Sequence, residues 1–89
     1  MKLTTADLIS DVCAEVRDML LAKNKSYGDS ALAPVRVFSR ADATEQLLVR
    51  IDDKLSRIAR GHVYADEDTV LDLIGYLILL RIAQRRATT

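Results

Sequence analysis

Aromatic side chains are almost missing from this chain, which has no tryptophan, one phenylalanine and three tyrosines. Apolar residues still make up 49% of it. The core therefore has to be assembled from Leu, Ile, Val and Ala, as helical bundles often are. A single cysteine, Cys13, excludes an intramolecular disulfide and a cysteine metal cluster. It falls on the apolar stripe of its helix, where a buried and inert thiol is expected. Net charge is absent as well. Thirteen basic residues balance thirteen acidic ones, which argues against a general electrostatic grip on nucleic acid or on a membrane surface. The longest apolar run, Leu73 to Leu80, is too short to span a bilayer and follows directly on Asp72. No signal-peptide pattern opens the chain, so a soluble cytoplasmic protein is the expectation.

Breaks are few, with one proline and three glycines. The pattern predicts one all-α domain over residues 1–89, a three-helix bundle with an irregular crossing over 28–41. The first helix runs from about Thr5 to Asn24, started by a capping box of Thr4 and Asp7 and followed by Gly28, which suits a left-handed cap. Pro34 favours extended backbone at Ala33, and Val35, Val37 and Phe38 are expected to pin the crossing to the bundle. The second helix begins after Asp42, buries Leu47, Leu48, Ile51, Leu55, Ile58 and Ala59, and ends at Gly61. Asp66 is the expected cap of the third helix, which runs to about Arg85. Its apolar residues cover almost the whole circumference, so it must be buried on every side. Two partner helices of this length cannot enclose it, and homo-oligomerisation, as a dimer or a larger ring, is expected to complete the fold.

Two charged stripes interrupt this oily pattern. At about 100° per residue, Arg50, Asp53, Lys54 and Arg57 share one narrow strip of the second helix, and Asp68, Asp72, Gly75 and Tyr76 share one on the third. Arginine offers a planar fork of donors that matches phosphate oxygens, and lysine supplies a compact point charge. A plain ladder of solvated ion pairs has the same spacing. This strip, however, borders the apolar face. Asp72 lies inside an apolar run, where an unpaired carboxylate is costly, so it needs a cation partner: Arg50, Lys54, Arg57 or a bound Mg²⁺. Gly75 lowers helix propensity by about 1 kcal/mol, which is understandable if a ligand or another backbone comes close. The loop from Lys23 through Asn24 and Tyr27 to Ser30 combines lysines, an amide, hydroxyls and a ring able to grip phosphate and stack on a base. Asp11, Glu15 and Asp18 read as a solvated acidic face sooner than as a metal pair. His62 is a lone loop residue with no triad partner.

In order, Lys23-Asn24-x-x-Tyr27-Gly28, Arg50-x-x-Asp53-Lys54-x-x-Arg57-Ile58 and Asp68-Thr69-x-x-Asp72-Leu73-x-Gly75-Tyr76 resemble a small all-α family of bacteriophage proteins. These are the nucleotide-modification-associated phage domains, and the chain is more distantly similar to MazG-like pyrophosphohydrolases. The resemblance covers about residues 20–80. It implies a helical oligomer that handles nucleotides in the cytoplasm of an infected host cell. MazG-like enzymes hold Mg²⁺ on a triphosphate with two acidic pairs, E-x-x-E and E-x-x-D. Here Leu48 stands three places after Glu45, and Thr69 three places before Asp72.

Three functions follow from these residues. In the preferred one, Lys23, Arg50, Lys54 and Arg57 hold the phosphates of a linear or cyclic nucleotide, and Asn24 and Tyr27 contact base or sugar. Asp53 and Asp72 then orient the cations, with Tyr76 at the edge. In a phage, such a protein would sequester a nucleotide signal of host immunity without turnover. In the second, Asp53, Asp68 and Asp72, with Glu45 or Glu15 as further candidates, hold Mg²⁺ and activate water for hydrolysis of a nucleoside triphosphate. In the third, the ion pairs only fix the register of a helical adaptor. The missing acids favour binding over catalysis.

Overall fold

Three helices are started and stopped by local chemistry that the chain carries at each end. The computed structural model describes residues 2–34, 36, 38–61 and 67–88. Helix α1 spans Thr5–Tyr27. The Asp7 amide donates to Thr4 Oγ1 at 3.1 Å and the Thr4 amide donates to Asp7 Oδ2 at 2.9 Å, a reciprocal capping box. The helix runs a few residues further than its periodicity suggests, and Gly28 stops it. The φ of +64° and ψ of −149° there lie outside the left-handed helical well and are open only to glycine.

Helix α2 spans Ala43–Arg60, with the Glu45 amide donating to Asp42 Oδ1 at 2.8 Å. It ends on Gly61 in the left-handed conformation. Helix α3 spans Thr69–Ala87 and is capped by Asp68, whose Oδ1 accepts from the Leu71 amide at 3.0 Å. The cap is therefore Asp68, while Asp66, His62 and Tyr64 lie outside the described residues. Between α1 and α2, the Leu32 and Ala33 amides both donate to the Asp29 carbonyl. Phe38 is 96% exposed, so it does not pin this segment. Val35 and Val37 lie outside the described residues. Among the described residues no helix is long and apolar enough to cross a membrane.

Helix α3 lies in the middle of the arrangement. Arg50 meets Tyr76, Lys54 meets Asp72 and Arg57 meets Glu67, so α2 runs antiparallel to it. Met19 and Leu20 lie over Gly75 and Lys23 meets Asp72, so α1 is antiparallel to α3 too. No Cα of α1 comes within 8 Å of one in α2, so the two flanking helices leave a gap between them. The buried core is correspondingly slight: Val16 from α1, Leu47 and Ile51 from α2, and the Gly75 backbone from α3.

Much of the expected core is open in the single chain. Leu48, Leu55, Ile58 and Ala59 of α2 are exposed, as are Val70, Leu77 and Ile78 of α3. In α1 only Val16 is fully buried, and Leu8, Ile9, Val12 and Cys13 face outward. Cys13 is thus an exposed thiol, because the N-terminal half of α1 has nothing packed on its apolar stripe. A folded monomer of 9.9 kDa exposes about 5,200 Å², whereas this chain exposes 7146 Å². Its radius of gyration is 15.1 Å against about 12 Å for a compact domain of this length.

Candidate functional site

A cavity of about 380 Å³ is lined by the C-terminal end of α1, the 28–32 segment behind it and α3, with Arg50 as the contribution of α2. Gly75 sets its depth. A Cβ at this position would lie 3.0 Å from Met19 Cε and 3.1 Å from Leu20 Cδ2, so the missing side chain is what lets α1 settle on α3. The close approach expected at Gly75 is made by the side chains of a neighbouring helix. Met19, Leu20, Leu32 and Leu79 give the cavity an apolar lining.

Its polar lining is drawn from four separate segments. Lys23, Asn24 and Tyr27 come from the end of α1, Asp29 and Ser30 from the loop behind it, and Arg50 from α2. Asp72 and Tyr76 come from α3, one turn apart on the strip that also holds Gly75. The Arg50 guanidinium carbon sits 6.0 Å from the centre of the Tyr76 ring, at the outer limit of a cation–π contact. Asn24 is largely committed to the loop. Its Nδ2 donates to the Gly28 carbonyl at 3.2 Å and to Asp29 Oδ1 at 2.9 Å, which leaves its Oδ1 as the group for a ligand.

Asp72 finds its cation partners within the chain. Lys23 Nζ lies 3.4 Å from Oδ1 and Lys54 Nζ lies 3.3 Å from Oδ2, so each oxygen faces one ammonium. The side chain is 19% exposed and Lys54 is 12% exposed, while Lys23 is 53% exposed on the cavity rim. Lys54 also donates to Glu67, and Arg57 Nη1 reaches both Glu67 oxygens at 2.5 Å. Desolvation alone would lower the Lys54 pKa. The hydrogen bonds to Glu67 and Asp72 outweigh it, and the group is held above its usual 10.5. Glu67 is held below 4.5, chiefly by the hydrogen bond from Lys54.

The basic strip of α2 is therefore divided. Arg50 lines the cavity, whereas Lys54 and Arg57 are engaged by Glu67 beside it. Asp53 is exposed and does not line the cavity. Asp68 is engaged as the α3 cap, and among the described residues no three His, Cys, Asp or Glu side chains are grouped to hold a metal. On α1, Asp11, Glu15 and Asp18 lie on an exposed face, and Asp18 pairs with Arg17 at 2.9 Å. Glu67 is the residue that sequence reasoning missed. Its position one residue before a helix cap, in a stretch without periodicity, gives no hint that it faces two cations of α2.

No protein-family model matches the chain, and no curated protein or solved structure does either.

Proposed function

We propose that this chain is an oligomeric binding protein for a small phosphate-bearing nucleotide, linear or cyclic, held without turnover. The observation that carries the reading is the composition of the cavity. Two cationic heads, Lys23 and Arg50, and two phenol rings, Tyr27 and Tyr76, line it beside the apolar side chains of Met19, Leu20, Leu32 and Leu79, with Asp29 and Asp72 as its acidic members. Phosphate oxygens suit the first pair and a flat base suits the second. The volume of about 380 Å³ lies in the range of small-ligand sites. Asp72 acts here as an organiser that holds the Lys23 head at the rim. A Mg²⁺-dependent hydrolase is less well supported, because a metal would have to displace an ammonium from either oxygen of Asp72. Self-association belongs to the same reading, on the strength of the surplus exposed surface. So does the phage setting, in which the bound nucleotide would be an immune signal withdrawn from its receptor.

Titration calorimetry of the full chain tests this with mono-, di-, tri- and cyclic nucleotides, with and without Mg²⁺. At least one phosphate-bearing nucleotide should bind and be recovered intact. Arg50→Ala should weaken it by about tenfold or more, the worth of one charge-assisted hydrogen bond. Arg60→Ala, on an exposed residue outside the cavity lining, should leave it unchanged. Product formation would convert the reading to an enzyme, and no heat with any nucleotide would leave the helical adaptor.

A further inference from the structure

The surplus surface has a pattern that says how it is covered. On α1, Leu8, Ile9 and Val12 are 48%, 60% and 48% exposed, and one flank of that stripe carries Asp11 and Glu15 a turn apart. On α3, Leu77 and Ile78 are 46% and 39% exposed, and the same strip carries Arg81 and Arg85 a turn apart. All four charged side chains are exposed, and among the described residues none of them is ion-paired within the chain. Each face thus joins an uncovered apolar patch to charge of one sign, acidic on α1 and basic on α3. The area agrees with the pairing. About 1,900 Å² per chain beyond the folded-monomer norm is what obligate homodimers bury, and more than double the roughly 800 Å² a side of a standard interface.

The geometry points to a two-fold homodimer in which the N-terminal half of α1 from one copy packs on the Leu77–Arg85 strip of α3 from the other, with Asp11 and Glu15 facing Arg81 and Arg85. This rests on the self-association part of the proposed function and is independent of the ligand. It also makes assembly bear on the cavity, because the C-terminal half of the same α1 supplies Met19, Leu20 and Lys23 to the cavity wall.

Two charge-reversed chains test the pairing by sedimentation equilibrium. One carries Asp11→Arg with Glu15→Arg, the other Arg81→Glu with Arg85→Glu. In either homodimer both contacts would set like charges together, so each variant alone should associate more weakly than the parent, on the order of 100-fold. In a one-to-one mixture both contacts are complementary again, and the heterodimer should form near parental affinity. A chain that had merely failed to fold could not be rescued in this way. A parent that is monomeric at every concentration overturns self-association itself. A dimeric parent whose variants associate as tightly as it does, or whose variants stay apart when mixed, overturns this interface alone.

Discussion

Glu67 shows how one carboxylate organises a site it does not line. It engages Lys54 and Arg57, and so leaves Arg50 and Lys23 as the cations facing the cavity. Its pKa is lowered from 4.5 in the folded chain, so its stabilising effect is in place above that value and fades as pH falls through the lower, folded pKa. Lys54 behaves in the opposite sense. Held above 10.5, it contributes fully below that value and loses its contribution only as pH rises through its folded pKa. Glu67→Gln should therefore lower the thermal midpoint at neutral pH, and its midpoint should converge with that of the parent as pH falls below 4.5 and through the lower, folded pKa. Thermal melts across this window decide the matter. Parent and variant curves that stay parallel down to the acid end would mean that Glu67 is not held by these cations.

At the scale of elements, the crossing of α1 over α3 is the contact on which the cavity depends. Gly75→Leu would thrust a branched side chain against Met19 and Leu20, lift α1 and cost about 1–3 kcal/mol. Gly75→Ala is a different case. It gains up to about 1 kcal/mol in helix propensity, and Met19 Cε is the far end of a flexible side chain that can move aside. Its net effect should stay within about 1 kcal/mol of zero. Urea denaturation of the two variants separates these outcomes, and a leucine variant as stable as the parent would refute the described crossing. The helices themselves were legible in the sequence because their signals are local: Thr4 with Asp7, Asp42 with Glu45, and glycines at 28 and 61. Which helix touches which was not, since periodicity marks an apolar stripe but not its occupant. Cys13, Leu55 and Ile58 all lie on real stripes and are all exposed in the single chain. The candidate site was half legible for the same reason. The 72–76 strip and residues 23–27, which form the last turn of α1 and not a loop, do meet, but the sequence offers no means of telling that Glu67 would draw Lys54 and Arg57 away from Arg50.

At the scale of the whole molecule, a chain of 9.9 kDa that fully buries only Val16, Leu47 and Ile51 among its hydrophobic residues, within the described part, has too little core to stand far from unfolding. Each further apolar side chain that is fully covered would contribute about 1.5–3 kcal/mol. Leu8, Ile9, Val12, Leu77 and Ile78 are between 39% and 60% exposed, so covering them fully would add roughly half of that each, a large gain beside so small a core. If association supplies it, folding and assembly are one equilibrium, and stability has to depend on protein concentration by mass action. The thermal midpoint should accordingly rise steadily as the chain is concentrated, with a single cooperative transition throughout. Differential scanning calorimetry over a wide dilution series measures this directly. A midpoint independent of concentration would show that the three helices are stable as they stand, and the open apolar faces would then need a different partner to account for them.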